Sequence, residues 1–555
     1  MTAITTIDKL DWQATLFAPE LNRLAVMRLG VPTPTGAVLR VVRNHAFETL
    51  APILAPLLSF AGYPMAPVLG EYDDSVNLPD DAYAAALVWL DFTRYGRLSD
   101  EELAQWFLGR LDALRAHAGG PLVVANSPDV GDRAARINAA LQDWASRTPA
   151  AAILRLDKIA QDLGPRAFAE DRAAVTGTRY ADPLNLEAAR TLAFEVLAPA
   201  CAAPIKALAV DLDNTLYAGV LGEDGPDGVR LTEGHARLQR EIARLAGLGV
   251  LVSIVSKNEA ADVQALFAAR EDFPLRPDQV ASWQVSWGEK SDGVRAAAAQ
   301  FNIAPDSFLL IDDNVGELFQ VSSRHPGLRL LHAGGEAEAT VRALRRYPGL
   351  PQEGQSFAGR AADLAANAER AALADAAVDE EAYLAALQAE LTFALNPVED
   401  RGRLTELSRK TNQFNVSLRR LDEVEVDRYL TAPDRCVVHV KLADRLADSG
   451  SVAALFGRRE DSAFVVEELC ISCRALGRKL EDIMIVEAVR AGMDRLGASR
   501  AAFDYQLGPR NQPALEWLAT FLGRPVTGEA GRLNVPEDRV AETPRGAVSI
   551  RWTHD

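Results

Sequence analysis

The chain has 555 residues, a net charge of −18, 48% hydrophobic and 25% charged residues, and four cysteines. This composition excludes disordered, collagen-like and disulfide-scaffold proteins, and the negative charge argues against generic binding to nucleic acid or anionic membranes. No basic start precedes an apolar run, and prolines interrupt the uncharged stretch 50–70. We therefore predict a soluble, cytoplasmic protein without a signal peptide or membrane span.

The first 200 residues mix short apolar runs with amphipathic segments. The runs 38–42, 85–90 and 122–125 predict strands, and the stretch 50–70 predicts a buried helix, a turn and a strand. This alternation favours an α/β domain, which we place at residues 1–203.

A second α/β region follows, which we place at residues 204–345. Four compact apolar runs predict its strands: 205–210, 250–255, 308–311 and 328–331. The segments between them have helical periodicity, and Gly249 is expected to end the first helix. Strands alternating with helices indicate a parallel sheet with crossover helices.

The residues after 345 have a different pattern of predicted elements. Residues 346–390, rich in Ala, Glu and Asp, predict a helical linker. Strand-like runs and a helix from about Arg478 then predict an α+β domain at 391–530, followed by a tail at 531–555.

The strongest chemical pattern is Asp211-Leu212-Asp213-Asn214-Thr215, directly after the first strand of the second region. In an extended chain Asp211 and Asp213 lie on the same side, at the sheet edge where α/β folds bind ligands. Two such carboxylates can hold Mg²⁺ while one attacks phosphorus and the other handles protons. The alternative is a pair of acids in a surface turn.

Three further elements follow in order along the chain. Ser256-Lys257-Asn258 ends the next strand, Lys290 stands in WGEK, and Asp312-Asp313 ends a later strand. They supply hydroxyl, cationic and metal-binding groups at one sheet edge. Together with the first pattern they resemble the haloacid dehalogenase (HAD) superfamily of Mg²⁺-dependent phosphoryl-transfer enzymes.

The resemblance implies roles for these residues. Asp211 would be the nucleophile and Asp213 the general acid/base, with Lys290 as the third catalytic residue of this domain. The phosphate would be bound by Ser256, Lys257, Asn258 and Lys290. The Mg²⁺ cofactor would be held by Asp211, Asp213, Asp312 and Asp313. The gaps from Thr215 to Glu233 and from Ser256 to Lys290 leave no room for a large cap, so we expect an open site.

Further stretches resemble the FkbH-like branch of this superfamily. They are Gly222-Glu223-Asp224-Gly225, Lys410-Thr411-Asn412-Gln413-Phe414-Asn415, Ser472-Cys473-Arg474-Ala475-Leu476-Gly477-Arg478 and Asn511-Gln512-Pro513. Members carry an acetyltransferase-like (GNAT-like) C-terminal domain, and longer ones begin with a degenerate SGNH-hydrolase-like domain. Tyr217-Ala218 depart from the usual Trp-Gly.

This resemblance implies an enzyme that transfers a glyceryl group from 1,3-bisphosphoglycerate to the phosphopantetheine thiol of an acyl carrier protein. The substrate loses phosphate, and the product enters polyketide-type biosynthesis. The alternatives are a stand-alone Mg²⁺ phosphatase, loading of another three-carbon unit such as lactyl, and a non-catalytic scaffold. We expect no nucleic-acid or membrane partner.

Cys473 is the candidate acyl carrier within the chain. A thiol beside Arg474 and Arg478, close to a predicted helix start, is a better nucleophile than an ordinary cysteine. The alternative is a small residue packed in a turn. We expect the acyl and pantetheine site to include Asn412, Gln413, Asn415, Arg474, Gly477, Arg478 and Asn511. Cys470 and Cys473 lack a second Cys or His pair at metal spacing, so no zinc site is predicted.

Two other polar features are candidates for roles outside catalysis. The basic segment 401–420 is either a solvated face or a docking surface for an acidic carrier protein. Arg43-Asn44-His45 is the polar cluster of the first domain, which lacks a Gly-Asp-Ser nucleophile block and is expected to be structural or to dock the carrier. His439 is expected to be a structural histidine.

Overall fold

The computed structural model describes residues 4–31, 36–73, 83–117, 120–351, 376–508, 510–542 and 547–553, with positions 366, 369–370 and 372–374 between them. The chain forms two compact units, Met1–Phe357 and Ala358–Asp555. The first half of the predicted linker lies largely outside the described residues, and its second half contains the helix Glu380–Leu387.

The first unit begins with a five-stranded parallel sheet. Its strands are β1 Val38–Arg43, β2 Ala66–Tyr72, β3 Ala85–Trp89, β4 Leu122–Ala125 and β5 Ala151–Leu154, in the order β2-β1-β3-β4-β5. The predictions for β1, β3 and β4 are confirmed, as is the helix and strand predicted within 50–70. β5 was not predicted, because its short run Ala-Ala-Ile-Leu is only half-buried at the sheet edge.

A second five-stranded parallel sheet follows in the same unit. Its strands are β6 Ala207–Val210, β7 Leu251–Ser256, β8 Ser282–Val285, β9 Phe308–Asp312 and β10 Arg329–His332, in the order β10-β9-β6-β7-β8. The central strands β6, β7 and β9 are buried along their whole length, as expected where helices cover both faces. The four predicted strands are confirmed. β8, an edge strand with a partly polar sequence, was missed.

Helices cover both sheets of the first unit. Its α-helices are Thr6–Leu16, Arg23–Met27, Ala51–Ala61, Asp100–His117, Asp132–Arg147, Leu156–Leu163, Ala173–Thr176, Asp182–Thr191, Ala198–Cys201, Leu221–Gly228, Glu233–Gly247, Ala260–Ala269, Lys290–Gln300, Val315–Arg324 and Ala337–Arg345. The apolar residues Leu238, Ile242 and Leu245 of Glu233–Gly247 are buried, which confirms the predicted helical face.

The second unit is an α+β domain, as predicted, built on a seven-stranded mixed sheet. Its strands are β11 Glu390–Leu395, β12 Arg435–Ala443, β13 Asp448–Glu460, β14 Ala463–Ile471, β15 Arg500–Gln506, β16 Ala530–Asn534 and β17 Ser549–Trp552, in the order β16-β15-β14-β13-β12-β11-β17. Its further helices are Arg401–Lys410, Glu423–Thr431, Glu481–Leu496 and Gln512–Leu522. The segment 531–555, expected as a tail, instead supplies β17 and most of β16, because their backbones pair with β11 and β15.

Strands β14 and β15 pair over only part of their length. They are parallel from Ala463 opposite Arg500 to Val466 opposite Phe503. Beyond that point the segment 414–416 bonds to both strands: Val416 N donates to Leu469 O at 3.1 Å, and Gln506 N donates to Val416 O at 3.0 Å. The gap between the diverging strands is therefore bridged by the chain itself.

Within the described ranges, no helix combines the length and the apolar character that crossing a membrane requires.

Candidate active site

Asp211 is the first residue after β6, the middle strand of the second sheet. The flanking Val210 and Leu212 are fully buried, which anchors the backbone and leaves the Asp211 side chain at the carboxyl edge, 5% exposed. Ser256 Oγ, from the end of β7, donates to Asp211 Oδ1 at 2.8 Å. Lys290 Nζ, from the first residue of a helix, lies 2.9 Å from the same oxygen. Three separate elements therefore meet at one carboxylate.

Asp312 and Asp313 complete a carboxylate cluster around Asp211. Asp312 is the last residue of β9, and its Oδ2 lies 2.6 Å from Lys290 Nζ. One ligand oxygen from each of Asp211, Asp312 and Asp313 lies within 4.8 Å of the others, and this is the one such group among the described residues. Oxygen ligands from carboxylates are those that Mg²⁺ prefers. The donor set therefore fits the predicted cofactor.

The pKa values of the clustered carboxylates also favour a bound cation. Burial raises the pKa of Asp211, against the opposing effect of Lys290. Burial and the charge of Asp211 raise the pKa of Asp312 to about 7, and the same two causes raise the pKa of Asp313. Burial alone would lower the pKa of Lys290, but the two neighbouring carboxylates raise it. One lysine thus compensates the negative charge only in part, and a divalent cation would complete the compensation.

The Asp213 side chain lies outside this carboxylate group, although the sequence analysis placed it among the metal ligands. Its Oδ1 accepts from Tyr217 Oη at 2.8 Å and from Leu221 N at 2.9 Å. Its Oδ2 accepts from Asn258 Nδ2 at 2.9 Å. These bonds hold the Asp213 carboxylate to its own loop and to Asn258, and the three-carboxylate group found among the described residues does not include it. Its assignments as a metal ligand and as the general acid/base stay predictions.

The predicted phosphate-binding residues separate into two groups. Ser256 and Lys290 contact Asp211 directly. Lys257 instead pairs with Glu317 at 2.6 Å, and Asn258 bonds to Asp213. The structure thus gives Asn258 an orienting role and directs the Lys257 ammonium to the neighbouring helix.

The loop between Asp213 and the next helix is short and tightly closed. Asn214 N donates to Gly219 O at 3.2 Å, and Asp224 Oδ2 accepts from Val220 N at 2.8 Å. Gly219 has a φ of 115°, and a Cβ there would lie 2.6 Å from Asp224 Oδ2, so only glycine fits. Between this loop and the helix Glu233–Gly247 the chain forms only the short helix Leu221–Gly228, so this described stretch contains no large inserted cap. Open access to the site stays a prediction.

Three residues important to this site were not predicted. Tyr217 lies four positions after Asp213, and the contact forms only because the loop closes. Glu317 pairs with Lys257, and His332 Nε2 lies 3.0 Å from Asp313 O. Their side chains meet the site through tertiary folding, and no periodic pattern in the sequence marks them.

In the second unit, two predicted acyl-site residues serve the fold. The Asn511 amide donates to Asn415 O and to Gln506 O, both at 2.8 Å, and accepts from Gly508 N. Asn415 donates to Glu468 Oε1 at 2.8 Å and accepts from Leu418 N at 2.8 Å. Both residues are fully buried. Their amides hold the segment that bridges β14 and β15, and their assignment to pantetheine binding stays a prediction.

The other residues predicted for the acyl site lie nearer the surface or bond locally. Asn412 Oδ1 accepts from Arg420 at 2.7 Å, and Gln413 is half-buried. Gly477, with a φ of 78°, donates its N–H to Glu481 at 2.9 Å.

Cys473 lies half-buried in a turn after β14. The following helix begins at Glu481, later than the predicted start at about Arg478. Arg474 donates to Ser449 O at 3.0 Å, and the buried Arg478 pairs with Asp444 at 2.9 Å. The role of Cys473 as the acyl carrier stays a prediction.

The basic segment 401–420 bonds extensively within its own unit. Arg401 pairs with Asp427 at 2.9 Å, Lys410 with Glu406 at 3.1 Å, and Arg419 with Glu467 at 2.7 Å. These pairs reduce the positive charge that this face presents to a partner.

The polar cluster of the first sheet is buried. Asn44 exchanges hydrogen bonds with the backbone of Asp91, and His45 Nδ1 lies 2.8 Å from Thr178 Oγ1. Burial lowers the pKa of His45 to about 4, so the ring is neutral near pH 7. These contacts are those of a structural cluster that joins the ends of β1 and β3.

The second sheet and its acidic edge define a doubly wound α/β fold with a carboxylate-rich site. No family model and no curated protein matches the chain. It is similar to the N-terminal part of protein BF1531 from Bacteroides fragilis, described as containing a phosphatase domain complexed with Mg (18% identity, 62% of this chain and 99% of that chain, TM-score 0.47).

Two other solved structures show similarity over shorter stretches. One is an uncharacterized protein from Corynebacterium glutamicum (18% identity, 27% of this chain and 98% of that chain, TM-score 0.20). The other, from Streptomyces avermitilis, has a description that names the HAD hydrolase family (20% identity, 26% and 91%, TM-score 0.19). Likenesses of this degree assign no activity to the chain.

Proposed function

We propose that the first unit is a Mg²⁺-dependent phosphoryl-transfer enzyme with Asp211 as its nucleophile. The observation that carries this proposal is the position of the Asp211 carboxylate. It lies within 2.9 Å of both Ser256 Oγ and Lys290 Nζ and within reach of two further carboxylates. A lone surface acid has no such surroundings. Bound Mg²⁺ would neutralise charge on the transferring phosphoryl group.

In this proposal the side chains of the protein carry out the bond-forming and proton-transfer steps. Asp211 attacks phosphorus, so that an Asp211 O–P bond forms while the bond to the leaving oxygen breaks, and Asp213 gives that oxygen a proton. Water then attacks the aspartyl phosphate and returns a proton to Asp213, which releases inorganic phosphate. Lys290 and Ser256 stabilise the charge on the phosphoryl oxygens.

The test is phosphate release by the full chain from acetyl phosphate and 3-phosphoglycerate, with Mg²⁺ or with EDTA. Asp211→Asn keeps the size of the side chain but removes the nucleophile, so we expect no release and no hydroxylamine-labile phosphate on the protein. Asp143→Asn, at an exposed acid in the first unit, is the matched control. Equal release by both variants would refute the proposal.

The finer proposal is that the chain loads a glyceryl group from 1,3-bisphosphoglycerate onto an acyl carrier protein. Its support is the resemblance of the stretches at 222–225, 410–415 and 472–478 to the FkbH-like branch, together with the phosphoryl-transfer geometry. In this proposal Cys473 Sγ attacks the acyl carbon, a C–S bond forms, the bond from the acyl carbon to the phosphate oxygen breaks, and inorganic phosphate leaves. The carrier thiol then displaces Cys473.

The loading proposal also indicates which phosphate the Asp211 site would hydrolyse. Formation of the thioester already removes the acyl phosphate, so the ester phosphate on the third carbon is the one left to hydrolyse. Its leaving group is an alkoxide, which needs a proton from a general acid. The arrangement of Asp213 next to Asp211 suits this demand.

Intact-protein mass spectrometry distinguishes loading from simple hydrolysis. The chain is mixed with 1,3-bisphosphoglycerate, Mg²⁺ and a pantetheinylated carrier protein, and Cys473→Ala is compared with Cys201→Ala, another half-buried cysteine. A glyceryl adduct that maps to Cys473 and moves to the carrier supports the relay. Phosphate release without any adduct, unchanged in Cys473→Ala, refutes it.

A stand-alone phosphatase is the second candidate, and one observation favours it. Two residues expected at the pantetheine site, Asn415 and Asn511, are fully buried, and their amides bond to the chain itself. In that case the second unit binds a ligand or regulates the first, and no carrier protein is needed.

Under the loading proposal, docking of the carrier protein to the basic segment 401–420 is tested by Arg409→Glu. This variant should slow loading without changing phosphate release from acetyl phosphate.

A further inference from the structure

Tyr217 is a fully buried residue in the loop that follows the Asp211 and Asp213 pair. Its ring stacks on Phe273, with the ring centroids 6.0 Å apart and the planes within 20° of each other. Its hydroxyl donates to Asp213 Oδ1 at 2.8 Å. Because the ring is enclosed, Tyr217 cannot contact a substrate, and its influence on the site passes through Asp213.

The hydrogen bonds of Asp213 distinguish its two oxygens. Oδ1 accepts from the Tyr217 hydroxyl and from Leu221 N–H, while Oδ2 accepts from Asn258 alone among the residues that the structure describes. A carboxylate oxygen has about two lone-pair sites. Oδ1 is therefore saturated by the protein, and Oδ2 keeps one lone pair for a proton or a substrate atom.

We propose that Tyr217 is a positioning residue that fixes the rotation of the Asp213 carboxylate and thereby selects Oδ2 as the atom that exchanges the proton with the leaving group. This inference rests on the proposed phosphoryl-transfer function. Without the Tyr217 hydroxyl, Oδ1 regains a lone pair and the carboxylate can turn about its Cβ–Cγ bond. The proton then lies part of the time on the oxygen that faces the protein.

The consequence depends on the leaving group. When P–O cleavage releases an alkoxide, the alkoxide oxygen takes its proton from Asp213 as the bond breaks. When cleavage releases a carboxylate, as from acetyl phosphate, the leaving oxygen needs no proton. A misplaced general acid therefore slows the first reaction and spares the second, whereas a general loss of structure slows both.

The experiment compares kcat/KM for 3-phosphoglycerate and acetyl phosphate in the full chain with Mg²⁺, because kcat/KM reports the steps up to departure of the leaving group. The variant is Tyr217→Phe, which keeps the stacked ring. The matched control is Tyr347→Phe, which removes another buried hydroxyl, bonded to Leu330 O at 3.1 Å. Misplacement of a catalytic group costs up to about 100-fold, and two bonds to Asp213 survive, so we expect a loss of about tenfold for 3-phosphoglycerate. For acetyl phosphate we expect no change.

Each outcome has a definite meaning. A selective loss in Tyr217→Phe, with Tyr347→Phe like the wild type on both substrates, supports the inference. Equal losses on both substrates, or no loss, would overturn it while leaving the phosphoryl-transfer function intact. A wild type that cleaves acetyl phosphate alone would overturn the role of Asp213 as an acid and the inference with it. A wild type that cleaves neither substrate would overturn the proposed function itself.

Discussion

Asp312→Asn is expected to change the pH dependence of stability of the Mg²⁺-free protein. Asp312 is fully buried at the end of β9. Burial and the charge of Asp211 raise its pKa from an ordinary value of 3.8 to about 7. Between these two values the folded chain binds a proton that the unfolded chain does not. The ionised Asp312 therefore costs the folded state stability, and the cost grows as pH rises toward 7.

The size of the effect follows from the shift. Between pH 5 and pH 7 the cost grows by two pKa units, about 3 kcal/mol at 1.36 kcal/mol per unit. The first unit spans 357 residues. At about 2.1 cal/mol/K per residue its unfolding entropy is about 0.75 kcal/mol/K, so 3 kcal/mol corresponds to about 4 °C in Tm. Asparagine does not titrate and removes this contribution.

The assay is differential scanning calorimetry of the full chain in EDTA from pH 5 to pH 8. The Tm of Asp312→Asn relative to wild type should rise by about 4 °C over this range, whereas Asp143→Asn should stay parallel to wild type. Saturating Mg²⁺ at pH 8 should raise the wild-type Tm and leave Asp312→Asn unchanged. A gap between Asp312→Asn and wild type that is constant with pH would refute the reasoning.

Three further predictions concern buried charges. Lys290→Met removes the ammonium that pairs with the carboxylates of Asp211 and Asp312. It should lower the free energy of unfolding, measured in urea at pH 8, by about 3 kcal/mol. A loss that Mg²⁺ does not reduce would contradict this. Glu468→Gln places an amide against four donors that now bond to the Glu468 carboxylate. It should cost about 3 kcal/mol, visible as faster hydrogen exchange across residues 404–419, whereas the exposed Glu516→Gln should change nothing. Arg179→Ala removes the partner of the buried Asp91 and should cost about 3 kcal/mol in chemical denaturation; a loss below about 1 kcal/mol would contradict it.

Much of the fold could be predicted because its central strands are continuous apolar runs. β6, β7 and β9 are buried on both faces, so their sequences carry an unambiguous signal. The strands that were missed lie at or near sheet edges or in the final segment. β17 alternates exposed and half-buried residues, β8 is fully buried only at Ser282, and both have mixed sequences. Their strand character comes from backbone pairing with a neighbour, which no local pattern encodes.

The residues of the candidate site likewise include some that the sequence predicts and some that only the structure reveals. The sequence by itself determined Asp211, Ser256, Lys290 and Asp312 as candidates, because parallel strands bring their carboxyl ends to one edge and residues next to those ends must meet there. Only the tertiary structure decided that Asp213 stands outside the carboxylate group. That outcome depends on the directions of single side chains, and these are set by hydrogen bonds between elements distant in the chain.

The second unit shows the limit of motif reasoning. The sequence determined that residues 410–415, 472–478 and 511–513 are distinctive, but a motif does not say whether its side chains face a ligand or the fold. Tertiary packing decided this for Asn415 and Asn511, whose buried amides are bonded to the chain because an unpaired buried amide is costly. The sequence therefore determines which residues follow the strand ends. Tertiary packing decides which of their polar groups bond within the chain and which can contact a ligand.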